Sequence, residues 1–292
     1  MLNKSGNIQT FIGCDAAYND ANVVIFGAPY DSTTSNRPGT RFAAAAIRND
    51  SWGLETYSPY QDLDLEDAQI YDAGELELPF GRPCPALDMI EAATTQILAD
   101  GKKPLMIGGE HLVTLGAVRA IAKKHPDLRI IHLDAHTDLR QDYLGESLSH
   151  ATVLRRCHDI LGDGRIYQFG VRSGTKEEFA WAAKGHTHLQ KFNMNGLVEI
   201  VESLGDAPVY FTLDLDVLDP SAFPGTGTPE AGGISFMDLL GVIKLLKQLN
   251  VVGCDVVELA PNYDTSGVST AVACKVIREL LLAIGDCGAS PQ

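Results

Sequence analysis

Short apolar runs alternate along this chain with longer stretches whose apolar residues recur at helical spacing. The runs lie at 23–28, 69–73, 105–107, 129–133 (RIIHL), 166–171, 188–192, 209–213 (VYFTL) and 251–258. Their brevity and richness in branched residues are the marks of strands buried on both faces. The stretches 40–50, 86–100, 114–124, 149–161, 176–184, 195–204, 235–249 and 269–284 are predicted helices. Strand–helix alternation predicts an α/β fold with a mostly parallel sheet covered on both sides. No linker, low-complexity run or internal repeat interrupts the pattern, so residues 1–292 are read as one domain.

The polar residues with chemical capacity cluster just after the predicted strands. Gly108-Gly109-Glu110-His111 follows one, Asp134-Ala135-His136-Thr137-Asp138 a second, Asp214-Leu215-Asp216 a third, and Glu258 ends a fourth. In extended backbone, residues i, i+2 and i+4 face one side, so Asp134, His136 and Asp138 can converge. On a helix His136 would face away from both aspartates. Carboxylates gathered at the end of an apolar strand repel one another unless a cation lies between them. Open α/β sheets bind ligands outside the carboxyl ends of their strands, and four such ends here carry suitable groups. A glycine turn before a helix also suits phosphate, but no Gly-Lys-Ser/Thr follows it.

Four aspartates (Asp134, Asp138, Asp214, Asp216) and two histidines (His111, His136) make an oxygen- and nitrogen-based ligand set whose charge balances two divalent ions. With no cysteine among them, manganese suits the set, with magnesium, cobalt or zinc as alternatives. Two ions about 3.5 Å apart would share a bridging water and make it a hydroxide near neutral pH. His150 opens a predicted helix behind Ser149, a candidate N-cap. Glu258 is placed to meet a cationic group. His125, His132, His158, His186 and His188 have no motif support and read as structural or surface residues.

Composition narrows the picture. The chain is 45% hydrophobic and 21% charged, as a globular core requires, and its net charge is 23 − 38 = −15. Such a surface repels nucleic acid and anionic lipid and favours cationic ligands. The six cysteines form no CxxC pair and read as reduced thiols. No signal-peptide stretch opens the chain and no run approaches the roughly 18 apolar residues of a membrane span, so the expectation is a soluble, cytoplasmic protein.

The motifs GGEH at 108–111, DAHTD at 134–138, DLDVLDP at 214–220, GTGTPEAGG at 225–233 and VVELAPNYD at 256–264 resemble the binuclear manganese ureohydrolases. That family includes arginases, agmatinases, guanidinobutyrases and formiminoglutamases. Segment 27–48 (GAPYDSTTSNRPGTRFAAAAIR) is similar to the family's N-terminal signature, and the text as a whole is most similar to bacterial agmatinases. The resemblance implies a three-layer α/β/α fold around a mainly parallel eight-stranded sheet, and a homotrimer or homohexamer. It implies two Mn(2+) ions per subunit, one held by His111, Asp134, Asp138 and Asp214, the other by Asp134, His136, Asp214 and Asp216. It assigns His150 to proton shuttling and Glu258 to the guanidinium. Residues 1–22 lack a core pattern and are expected to form an extension at a subunit interface.

The expected reaction is hydrolysis of a guanidino group to urea and an amine by a metal-bridging hydroxide. Glu258 would pair with the guanidinium, Asp138 would carry a proton to the leaving nitrogen, and His150 would exchange protons with solvent. Arginases, as the resemblance implies, grip the α-carboxylate and α-ammonium of arginine with an Asn/Ser-rich stretch before the shuttling histidine. Here that stretch, 143–149, has no Asn and carries Glu146. An acidic mouth favours the bare amine of agmatine, with Asp142 or Glu146 meeting it; guanidinobutyrate and arginine are the alternatives. Two readings from other classes are a one-zinc deacylase, which would carry an adjacent His-His pair absent here, and a non-catalytic scaffold, which would have lost a ligand or the shuttle.

Overall fold

The computed structural model describes residues 9–285. Eight strands form one sheet: β1 (Val23–Ala28), β2 (Ile70–Glu75), β3 (Lys103–Gly108), β4 (Arg129–Leu133), β5 (Ile166–Val171), β6 (His188–Lys191), β7 (Pro208–Asp214) and β8 (Asn250–Val257). Their order is β2-β1-β3-β8-β7-β4-β5-β6, and every neighbouring pair is parallel. The strands fall where the apolar runs place them, to within two residues. The helices are α1 (Ala43–Ser51), α2 (Pro83–Ala99), α3 (Thr114–Lys124), α4 (Val153–Leu161), α5 (Lys176–Trp181), α6 (Leu197–Leu204), α7 (Phe236–Leu245) and α8 (Val268–Ile284). Several predicted helices begin or end as a separate tight turn, such as Thr40–Phe42 before α1 and His150–Thr152 before α4.

The sheet has two cores because successive side chains point to opposite faces. Val23 and Ile25 of β1 join a cluster with Ile47 of α1, Val201 of α6, Leu239 of α7 and Ile277 of α8. Val24 and Phe26 join another with Ile90 of α2, Val118 of α3 and Leu154 of α4. Tyr210 and Phe211, neighbours on β7, are fully buried on opposite faces. Burial of side chains this size stabilises by roughly 1.5–3 kcal/mol each. This is the three-layer α/β/α arrangement expected.

Of the predicted extension, residues 1–8 lie outside the described residues. Residues 9–22 pack on the chain's own edge: Phe11 is buried, its N–H donates to Asp72 Oδ2 (2.9 Å), and Asp15 bridges to Tyr71 of β2. The last strand, β8, inserts between β3 and β7. That insertion brings Glu258 beside His111 and aligns the carboxyl ends of β3, β8, β7 and β4 in the centre of one sheet edge.

Candidate metal centre and active site

All six expected ligands meet at this edge. His111 Nδ1 lies 3.1 Å from Asp134 Oδ2, 3.2 Å from Asp138 Oδ2 and 3.4 Å from Asp214 Oδ2. His136 Nδ1 lies 3.3 Å from Asp134 Oδ1 and 3.0 Å from Asp216 Oδ2. Asp134 therefore offers one oxygen to each of two adjoining groups. Asp214, expected to do the same, turns Oδ2 toward His111, while Oδ1 accepts from the Asp216 N–H (2.8 Å). Backbone approach explains the glycine before this corner. A Cβ on Gly109 would sit 1.9 Å from the Tyr30 carbonyl oxygen.

Hydrogen bonding decides what the centre needs. The Thr212 hydroxyl donates to Asp255 Oδ1 (2.6 Å), so its oxygen is left to accept from His111 Nε2–H (2.9 Å). His111 Nδ1 is then a bare lone pair aimed at three carboxylates. Both Nδ1 and Asp216 Oδ2 are buried without a hydrogen-bond partner. Such a cluster is costly unless positive charge fills it. Protons can do so: burial, then the Asp134 charge, pushes the Asp138 carboxyl up to about 7. Burial and the Asp216 and Asp134 charges hold Asp214 well above the usual carboxylate range. His111 and His136, despite burial that opposes it, are driven well above the ordinary imidazole range by the same aspartates. Metal ions satisfy the same demand without protons, and carboxylates with imidazoles and no thiolate suit divalent ions such as manganese.

Around the cluster stands a set of supporting residues to which the sequence alone assigned no role at the site. His132, read as structural or surface, is a fully buried structural residue. Gln168 donates to His132 Nδ1 (3.1 Å) and to the Thr137 carbonyl (2.8 Å), which leaves His132 Nε2–H to donate to Asp134 Oδ2 (2.9 Å). Its position two residues before Asp134 on one strand was the available signal. Asp255 accepts from Tyr210, Thr212 and Thr114 and so anchors the partner of His111. Arg172 grips the backbone carbonyls of Asp216 (2.7 Å) and Glu230 (2.8 Å).

Glu110 is the fourth such residue. It is fully buried, and its carboxylate accepts from the Thr33 N–H and from the hydroxyls of Thr33 (2.7 Å) and Thr34 (3.0 Å). Thr33 Oγ1 in turn accepts from the His150 N–H (3.1 Å), and the Ser35 N–H donates to His150 Nε2 (3.3 Å). Glu110 thus connects the metal corner to the loop that seats His150. Ser149 caps the following turn, as expected, in a reciprocal pair with Thr152. Burial, reinforced by the His136 and His111 charges, lowers the His150 imidazole to about 4, which leaves it neutral at pH 7.

Asp138 (φ 51°) and Glu258 (φ 67°) both adopt left-handed backbone, a cost of order 1–3 kcal/mol that clusters at functional sites. Glu258 Oε1 accepts from the His111 N–H (2.8 Å), while Oε2 has no hydrogen-bond partner among the described residues. Burial, then the neighbouring Glu110 charge, holds the Glu258 carboxyl well above its ordinary range, so a cation beside Oε2 would be held strongly. A cavity of about 210 Å³ opens onto His136, Asp138 and His150, with Ser35, Arg140 and Tyr143 among its walls. That is small against the ~300–1,000 Å³ of drug-sized sites. Asp142 and Glu146 do not line it. Both are exposed on a tight turn in which Tyr143 and Glu146 exchange backbone hydrogen bonds and Asp142 Oδ1 accepts from the Gly145 N–H. The reversal at Leu144-Gly145 carries the two acids outward, so Tyr143 and Arg140 face the mouth instead.

The sequence profile of the Arginase family matches residues 21–283. The chain belongs to that family. It is 48% identical to the agmatinase of Bacillus subtilis over 277 residues, 94% of this chain and 96% of the relative. A crystal structure of a candidate agmatinase from Clostridium difficile superposes with a TM-score of 0.91 at 51% identity, covering 92% of this chain and 99% of that one. The guanidinobutyrase of Pseudomonas aeruginosa is 34% identical over 279 residues, 88% of this chain and 85% of the relative. As an agmatinase-like member of the arginase family, the protein is a ureohydrolase. Among the described residues no helix is long and apolar enough to cross a membrane.

Proposed function

We propose that this ureohydrolase cleaves agmatine to putrescine and urea with two manganese ions. His111, Asp134, Asp138 and Asp214 would hold one ion, and His136, Asp134 and Asp216 the other, with Asp214 as the further shared ligand. When bound, the ions supply Lewis acidity and lower the pKa of water toward neutrality. Glu258 Oε2 orients the guanidinium by a charge-assisted bond, and the His111 N–H on Oε1 fixes the carboxylate plane. Asp138 has one oxygen turned to His111 and the other without a partner among the described residues, so it can carry a proton to the leaving nitrogen. His150, neutral and at the cavity wall, passes protons to solvent. Glu110 and the 33–35 loop keep its ring in place.

The observation that carries the reading is the unpartnered oxygen of a buried glutamate, Glu258, beside a cation-demanding His/Asp centre. It supports a cationic head group next to an activated water. For the tail, the greater identity to an agmatinase than to a guanidinobutyrase favours agmatine. A second reading, guanidinobutyrate, has one observation in its favour: Arg140 lines the cavity and would attract a carboxylate. Its charge is offset by Glu178 at 3.8 Å, and it lies over the Tyr143 ring. Specificity constants for the two substrates decide between them. A larger value for guanidinobutyrate would replace the agmatine reading.

A further inference from the structure

We infer that His158, Asp163 and His186 form a second binding site, for a transition-metal ion of the zinc or nickel type. His158 Nε2 and His186 Nδ1 each lie 2.7 Å from Asp163 Oδ1. The three ligand atoms fall within 4.8 Å of one another. The cluster stands where α4 ends and where β5 and β6 begin, at the edge of the sheet opposite the catalytic centre. One strand length separates the two edges, roughly 20 Å.

Each ligand is held by its own packing. His158 sits in the last turn of α4, and its carbonyl accepts from the Gly162 N–H (2.8 Å). Asp163 lies between Gly162 and Gly164, both at positive φ, and the Gly164 N–H donates to the His186 carbonyl (3.2 Å). Trp181 stacks flat on His186 (4.4 Å, 17°) and meets His158 edge-on (4.7 Å, 84°). The rings are therefore fixed with their nitrogens aimed at one carboxylate oxygen. Asp163 is exposed, which leaves room for water to complete the coordination. Two imidazoles, one carboxylate and water are a donor set for zinc, nickel or copper rather than for magnesium or calcium. The rival arrangement is a plain hydrogen-bond hub, two imidazole N–H groups on one acceptor.

The chain has only two tryptophans, Trp52 and Trp181. In a Trp52→Phe background, loaded with manganese, Trp181 becomes the sole reporter and touches a ligand ring. Nickel should quench its fluorescence to a saturating end point at one ion per site. His158→Gln, His186→Gln and Asp163→Asn should each raise the half-quenching concentration by at least the roughly 10–100-fold that loss of even an outer-shell partner causes. Circular dichroism melts of the three variants check that each is folded. Non-saturating quenching, or the same nickel response in all three variants, would overturn the site and leave the hydrogen-bond hub. The readout is independent of catalysis, so it stands or falls apart from the assignment of substrate.

Discussion

Replacing Thr212 with Val keeps the shape of the side chain and removes only the hydroxyl. Two buried groups then lose their partner: His111 Nε2–H, now 2.9 Å from Oγ1, and Asp255 Oδ1, now 2.6 Å from it. Each unsatisfied buried group costs about 1–3 kcal/mol, so the loss of stability should total about 2–6 kcal/mol. The effect on metal is more specific. The hydroxyl holds the His111 proton on Nε2 and keeps Nδ1 free for an ion. Without it the proton can move to Nδ1, among the carboxylates, and compete with the ion. Loss of such an outer-shell partner lowers metal affinity by about 10–100-fold. Manganese titration in a chelator buffer, with metal content and a thermal melt on the same sample, measures both. Thr212→Ser, which retains the hydroxyl, should restore most of each. A folded Thr212→Val protein that binds manganese as wild type does would refute the tautomer argument.

Glu110→Gln should leave metal content intact and lower turnover by about 10–100-fold, because one charge-assisted bond to the 33–34 loop is worth about 1.5–3 kcal/mol; metal analysis beside kcat checks it, and unchanged kcat removes Glu110 from the support of His150. His150→Ala should likewise keep both metals but slow turnover, and wild-type turnover would exclude it from proton transfer. The folded-state pKa of His150 is depressed to about 4 against roughly 6.5 unfolded. Wild type should therefore lose stability relative to His150→Asn as pH falls from about 6.5 to 4, and parallel pH–stability curves would contradict that. Burial pushes the Cys157 and Cys274 thiols up to about 12, whereas Cys84 is exposed. A thiol reagent at pH 8 should label Cys84 in the folded protein and reach Cys157 and Cys274 only after unfolding; peptide mapping shows which.

The sheet was legible because strands buried on both faces leave unbroken apolar runs, and all eight runs became strands. Helix ends were less legible. A tight turn such as His150–Thr152 shares the helical spacing of α4 but not its geometry. The two-residue strands Tyr57–Ser58 and Leu63–Asp64 are too short to leave a periodic signal. At the site, the period of two brought Asp134, His136 and Asp138 together, and strand ends located His111, Asp214 and Glu258. What the period could not give was the partner of the second ring nitrogen of His111 and His132, because Thr212, the Asp255 that anchors it, and Gln168 come from other strands. An aspartate inside the apolar run 251–257 was a visible sign of buried partners. Asp142 and Glu146 lie on an exposed turn outside the lining of the cavity, and charge in a segment says nothing of direction. The direction came from the turn at Leu144-Gly145.

The most direct measurement is urea release by the purified, manganese-loaded protein, with agmatine, guanidinobutyrate, arginine and formiminoglutamate offered in parallel and metal counted per subunit. The expected result is two ions and strong turnover of agmatine. Two ions with turnover of a different guanidine would keep the centre and overturn the choice of substrate. Two bound ions with no urea from any of the four would contradict the reaction itself.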